Sequence, residues 1–276
     1  MYLDCGPHRL NLGRPAVMGI INTTPDSFSD GGRHLDPGAA VDAAHEMVAA
    51  GAAIIDVGGE STRPGADSVS VDEERRRVLP VIRRLVNELS VPVSIDTSKP
   101  QLMREMAAEG CGMINDVFAL RLPGALDAAA DTGLPICLMH MLGEPRTMQA
   151  EPAYDNVVTE VLGFLRSRVA ECEAVGIERQ RLIIDPGFGF GKTVSHNATL
   201  LAELAAFKTL GLPLLAGLSR KSLIAAMGVT TPAGRLAASV ALAVLAVERG
   251  AQIVRVHDVA STVDALKMLD LLEQPK

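Results

Sequence analysis

The chain has no tryptophan, and aromatic side chains make up only 3% of it. That leaves no platform on which successive bases could stack, which argues against a single-stranded nucleic-acid binder. Charge gives such a role no support either. Lys and Arg total 26 against 33 Asp and Glu, and the only basic run, Arg75-Arg76-Arg77, sits among acids in a helix-like pattern. A solvated helix face explains that run better than a phosphate-binding patch. Cysteine is scarce and scattered: Cys5, Cys111, Cys137 and Cys172 form no CxxC pair. This argues against a zinc site or a disulfide framework and fits reduced, buried thiols. His34, His45 and His140 likewise lack ligand-spaced partners. No run of 18 apolar residues occurs, and residues 1–15 lack a basic segment followed by a long apolar core. The expectation is a soluble, cytoplasmic protein with no membrane and no nucleic-acid partner.

What the sequence does contain is a repeated alternation of short apolar runs and helical patterns. Strands are expected near 17–21, 53–57, 93–95, 113–115, 136–139, 182–184, 214–217 and 253–256, each rich in Val, Ile, Leu or Met with little polar alternation. Parallel strands buried on both faces read this way. Helical patterns cover 38–50, 72–88, 101–108, 155–175, 198–207, 235–249 and 259–272, and several stop at a glycine: Gly51, Gly110, Gly176, Gly211 or Gly250. Ahead of them, 3–5 and 9–12 flank Gly6-Pro7 as a short hairpin, placed to plug the bottom of a barrel. No linker divides the chain. The expected fold is α/β, a (β/α)8 TIM barrel with a short N-terminal β-hairpin, in one domain spanning 1–276 with the hairpin in 1–14 and the barrel in 15–276.

The ends of the apolar runs carry the chemistry. Ile54-Ile55-Asp56-Val57 stops at Gly58-Gly59 and opens into Glu60-Ser61-Thr62-Arg63-Pro64-Gly65. The other runs end on Asn22-Thr23-Thr24, Asp96-Thr97-Ser98, Asn115-Asp116, Met139-His140, Asp185-Pro186-Gly187, Ser219-Arg220-Lys221 and Arg255-Val256-His257. In a barrel these clusters meet at one rim, where the active site lies. Asp96, Asn115 and Asp185 suit a flat heterocycle rich in N–H groups, because a carboxylate accepts two parallel bonds from a guanidine-like edge. Strand-end Asp and Asn also serve as helix caps, so each residue taken singly is ambiguous. Arg63, Lys221, Arg255 and His257 form a cationic set that implies a phosphate or diphosphate. Arg255 and His257, two apart on a strand, share a face, whereas Arg220 is read as a structural salt-bridge partner. Two long loops, 22–37 and 58–70, have the length of functional lids, and 142–154 forms a third. Gly187-Phe188-Gly189-Phe190-Gly191-Lys192-Thr193 imitates a P-loop but fails on spacing, since Pro186 stands where a glycine is required.

Two long segments resemble the signatures of dihydropteroate synthases: Met18-Gly19-Ile20-Ile21-Asn22-Thr23-Thr24-Pro25-Asp26-Ser27-Phe28-Ser29-Asp30-Gly31-Gly32 and Asp56-Val57-Gly58-Gly59-Glu60-Ser61-Thr62-Arg63-Pro64-Gly65. Shorter matches run to Arg255-Val256-His257-Asp258. The resemblance implies a transferase of folate biosynthesis, and a sulfonamide target, that joins 4-aminobenzoate to 6-hydroxymethyl-7,8-dihydropterin diphosphate. By position, Asp96, Asn115, Asp185, Lys221 and Arg255 would hold the pterin, with Met139 and Phe190 as its wall. Asn22, Thr62, Arg63, Arg255 and His257 would bind diphosphate, and Asn22 would also ligate Mg2+. Phe28, Thr62, Arg63, Pro64, Lys221 and Ser222 would shape the aminobenzoate site. Asp96, Lys221 and Arg255 would be the catalytic set of a dissociative, SN1-like reaction, in a homodimer. Leu142, Leu218 and Ala238 depart from the family pattern without removing any of these polar groups. A pterin-binding methyltransferase barrel and a catalytically silent paralogue share the pterin pocket. Neither needs the intact Asn22, Thr62, Arg63, Lys221 and Arg255.

Overall fold

A computed structural model describes residues 1–24, 37–63, 65–226, 228–229, 231 and 233–273. Strands β1 (Tyr2–Cys5) and β2 (His8–Asn11) pair antiparallel. Eight parallel strands follow: β3 (Ala16–Asn22), β4 (Ile54–Gly58), β5 (Val93–Asp96), β6 (Met113–Asp116), β7 (Ile136–Met139), β8 (Leu182–Asp185), β9 (Leu215–Ala216) and β10 (Ile253–Val256). Their order is β8-β7-β6-β5-β4-β3-β10-β9, and a parallel bridge between Ile184 and Leu214 closes the ring. The barrel expected from the sequence is therefore present.

Alternate residues along each strand face opposite sides, which divides the apolar material into two layers. Inside the barrel lie Met18, Ile54, Met113, Cys137, Ile183, Leu215 and Ile253, packed with Leu3, Cys5, Leu10 and Leu12 of the hairpin. The hairpin is thus the bottom plug, and it fits closely: a Cβ on Gly112 would stand 2.6 Å from the Cys5 carbonyl oxygen. Outside the strands, residues such as Val17, Ile55, Val57, Ile95, Ile114, Leu138 and Ile184 meet the helices.

The helices are α1 (Pro37–Ala49), α2 (Val71–Glu88), α3 (Pro100–Ala108), α4 (Ala125–Thr132), α5 (Val157–Ala174), α6 (Val194–Ala202), α7 (Ser222–Ala225), α8 (Leu236–Glu248) and α9 (Val259–Glu273). Local chemistry sets their ends. Ser70 caps α2 by accepting the Glu73 N–H at 3.2 Å, with Asp72, Glu73 and Glu74 in the first turn. Gly51 and Gly250 leave α1 and α8 with φ of +102° and +107°, where a side chain would be strained. The helix expected over 198–207 instead starts at Val194, capped by Thr193, and gives way to a 3-10 stretch at Leu204–Leu210.

Candidate active site

All eight barrel strands point their C-terminal ends to one rim. There, Asp96, Asn115, Met139, Asp185, Phe190, Lys221, Arg255 and His257 line one pocket of about 50 Å³, with Thr62 at its edge. The pterin-pocket residues read from the sequence are therefore brought together. A larger cavity of about 470 Å³ opens beside it, between the 60–68 loop and 144–146, and shares Thr62, Asp96 and Val117 with it.

Arg255 is the hub. From β10 its Nε donates to Asp56 Oδ2 at 2.6 Å, and its Nη2 donates to Asp96 Oδ2 at 2.7 Å. Asn115 Nδ2 donates to the same Asp56 oxygen at 3.0 Å. Burial alone disfavours the guanidinium charge, but Asp56 and Asp96 outweigh it and hold Arg255 above its ordinary range. Burial pushes the Asp96 carboxyl upward, with Arg255 opposing. Asp185 is also pushed up by burial, although its Oδ1 accepts the Gly187 N–H at 2.7 Å and Lys221 faces it.

Lys221 follows a strained turn. Arg220 has φ +58°, uncommon outside glycine, and is held there on three sides. Its N–H donates to Ser239 Oγ at 3.0 Å, its carbonyl accepts from Arg235 Nη1 at 3.0 Å, and its guanidinium grips Asp258 at 2.5 and 3.1 Å. The structural salt bridge expected of Arg220 is thus present. Lys221 Nζ then lies 3.9 Å from the centroid of the Phe190 ring. Burial lowers Lys221 to about 8, with Asp185 pulling the other way.

His257 shares the pocket with Arg255, but not as a cation. Burial, then Arg220 and Arg255, bring its imidazole down to about 3. It is therefore neutral near pH 7, with Nδ1 3.1 Å from Ser219 Oγ. Arg63 is exposed on its loop, and Asn22, half-buried at the end of β3, pairs in register with Gly58. Neither lines the inner pocket. Phe28 and Pro64 lie outside the described residues, and Ser222 opens α7.

The loop carrying Thr62 is anchored at its root. Lys99 Nζ bonds both Glu60 and the fully buried Glu74, and Arg77 Nη1 donates to the Gly59 carbonyl at 2.9 Å. Sequence alone does not single out Lys99 or Glu74, nor Asp56 as a site residue. For Asp56 a signal existed: a lone carboxylate inside an otherwise apolar parallel strand needs a partner.

The comparisons agree with this geometry. Residues 18–257 match the family model described as pterin binding enzyme. The dihydropteroate synthase of Escherichia coli strain K12 is 54% identical over 261 residues, covering 95% of this chain and 93% of that protein. Among solved structures, a Yersinia pestis dihydropteroate synthase in a sulfonamide drug complex superposes with a TM-score of 0.95 at 49% identity, covering 99% of both chains. A Xanthomonas albilineans dihydropteroate synthase with 4-aminobenzoic acid gives a TM-score of 0.94 at 53% identity, covering 100% of this chain and 99% of that one. With a family match over residues 18–257, relatives about half identical along nearly the whole chain and a barrel of the same shape, the chain belongs to the pterin-binding enzymes, among the dihydropteroate synthases.

Proposed function

We propose that this chain condenses 6-hydroxymethyl-7,8-dihydropterin diphosphate with 4-aminobenzoate, giving 7,8-dihydropteroate and diphosphate. The observation that carries the reading is the convergence of Asp96, Asn115 and Asp185 with Lys221 and Arg255 around one pocket. The acids and the amide match the N–H-rich edges of a pterin. Met139 and Phe190 supply an apolar wall for its ring, in one cluster with Met141 and Met148. The second substrate is supported by the X. albilineans relative, whose structure holds 4-aminobenzoic acid. Thr62, Arg63, Lys221 and Ser222, with Phe28 and Pro64, are assigned to it.

The reaction follows from these parts. The C–O bond at the pterin methylene breaks and its electron pair leaves with diphosphate. The electron-rich ring carries the resulting cation, with the carboxylates of Asp96 and Asp185 close by. The neutral aniline nitrogen attacks, forms the C–N bond and then releases its proton. No strong base is required. Cationic and neutral donors on the leaving oxygens are required, a role assigned to Arg255, Arg63, Thr62, Asn22 and His257. Arg255 bonds Asp96, so a pterin edge that takes this carboxylate shares it with Arg255 or displaces it. A displaced guanidinium is then available to the diphosphate.

Mg2+ fits the donor chemistry as a substrate-borne ion. Among the described residues no three His, Cys, Asp or Glu side chains gather into a metal cage. Mg2+ commonly binds through substrate phosphates and one or two protein groups. Asn22, with a hard amide oxygen, would hold it, and the ion would neutralise charge on the leaving diphosphate.

We place the protein in the cytoplasm as a homodimer, with the whole chain acting as one pterin-binding unit. All four cysteines are free, buried thiols, which suits a reducing compartment. Helix α8 is apolar nearly all round, yet Leu236 is exposed, as are Met268 and Leu271 on α9. Such a surface fits an isologous contact between two copies. Light scattering after gel filtration should return the mass of two chains; the mass of one would remove the dimer.

The function is tested by incubating the protein with the pterin diphosphate, Mg2+ and labelled 4-aminobenzoate. Labelled dihydropteroate is the supporting result. Pterin binding without product would favour a silent paralogue.

A further inference from the structure

Lys192 is among the most deeply placed cations of the described chain, 2% exposed, yet it does not line the pterin pocket. It closes the 186–193 loop between β8 and α6. Its Nζ turns back into that loop and reaches the carbonyl oxygens of Gly187 at 2.9 Å and Phe190 at 3.0 Å. The third partner is His140 Nδ1 at 2.9 Å, just past the end of β7. Burial lowers the Lys192 ammonium to about 7, with Asp185 opposing, and in that charged form each of its three N–H donors has an acceptor here. For His140 to accept at Nδ1 it must be neutral with its proton on Nε2. Burial, then Lys192 and Arg121, lower this ring to about 2.

The backbone that Lys192 grips is an unusual one. Gly187, Gly189 and Gly191 have φ of +68°, +79° and +63°. A Cβ on Gly187 would lie 1.8 Å from the His140 carbonyl oxygen. Outer groups hold the arch from the other side: Gln149 Nε2 donates to the Gly189 carbonyl at 2.6 Å, and Tyr154 Oη to the Gly191 carbonyl at 2.8 Å. The arch presents two groups to the pocket. One is the Phe190 ring beside Lys221; the other is the Gly187 N–H that orients the Asp185 carboxylate.

We propose that Lys192 is a positioning residue for pterin recognition: through the Gly187 and Phe190 carbonyls and His140 Nδ1 it fixes the arch that aims Phe190 and Asp185 at the ring, without touching the ligand. The proposal rests on the pterin reading above. Its chemistry differs from that of Lys221, which faces the pocket. Lys192 spends all its donors on backbone and imidazole, so its removal loosens the wall of the site and leaves the charge at the mouth in place.

The test is calorimetric titration of the full chain with the pterin diphosphate and Mg2+, without 4-aminobenzoate. Lys192→Met keeps the length of the side chain and removes its donors. The expected result is a dissociation constant raised tenfold or more with the binding stoichiometry unchanged. A purely structural role would lower the stoichiometry through unfolded protein and leave the constant of the folded fraction as in wild type. Because a donor-free side chain there can prevent folding, His140→Leu and His140→Asn form a second pair. Asn offers an acceptor near the former Nδ1 position and should stay within about threefold of wild type, whereas Leu should match the Lys192→Met loss. Equal binding by wild type, Lys192→Met and His140→Leu overturns the proposal. Wild-type protein that binds no pterin overturns instead the function on which it rests.

Discussion

Arg255 Nε and Asp56 Oδ2 stand 2.6 Å apart in the barrel mouth, although 199 positions separate the two residues in the chain. Asp56 is fully buried, and its other oxygen, Oδ1, has no hydrogen-bond partner among the described residues. The pair is therefore more than a surface bridge: it fixes the guanidinium between two carboxylates at the rim. A hydrogen bond to a charged group is worth about 1.5–3 kcal/mol. Asp56→Asn should accordingly lower kcat/KM for the pterin diphosphate by roughly ten- to a hundredfold. Steady-state kinetics on the folded variant checks this, and unchanged kcat/KM would make Asp56 a bystander.

A buried imidazole and a half-buried one set an acid limit on stability. The folded values of His140 and His257, about 2 and about 3, lie below their ordinary 6.5. The unfolded chain therefore takes up protons that the folded one refuses. Their contribution is complete above about pH 6.5 and is lost as pH falls toward 3. Imidazole 15N shifts should show both rings neutral at pH 5. Midpoints near 6.5 would contradict the burial.

Lys221 gives the opposite limb. Burial brings its ammonium to about 8, so the free enzyme loses this charge as pH rises past that value. Its kcat/KM for the pterin diphosphate should fall as pH rises above about 8. Lys221→Arg should remove that fall while lowering kcat/KM itself. A wild-type profile level to pH 9.5 would exclude a role for the Lys221 charge.

The hairpin plug should be separable from the chemistry. Leu3 is 1% exposed and packs into the barrel interior at the end away from the site. Leu3→Ala should destabilise the fold by about 2–5 kcal/mol. Thermal unfolding should register this, with kcat near wild type at temperatures where the variant stays folded.

Much of this was legible in the sequence, for physical reasons. Parallel strands buried on both faces leave short apolar runs, and each ends where the rim begins, so Asp96, Asn115, Asp185, Lys221 and Arg255 could be placed together from chain order alone. What escaped lies inside elements or depends on long-range partners. Asp56 hides within an apolar strand, and its pairing with Arg255 is a contact across the barrel. Lys192 sits in the glycine loop that carries Phe190, and sequence does not mark it because its acceptors are carbonyls and an imidazole that no motif records. Helix α4 is eight residues, chiefly Ala and Asp, too short to show a helical period. Sequence groups His257 with the cations, because it does not reveal the desolvation that keeps the ring neutral.

In the proposed function, Arg255 assists departure of diphosphate once the acids hold the pterin. This role is tested most directly by single-turnover formation of labelled dihydropteroate in wild type and Arg255→Ala, with pterin binding measured on the same samples. Loss of one group that stabilises charge in a transition state commonly costs about 10²–10³ in rate. Wild type should form product, and the pterin-saturated variant should be slower by roughly that factor. Product formation by Arg255→Ala at a near wild-type rate would contradict the role given to this residue and to the rim built around it.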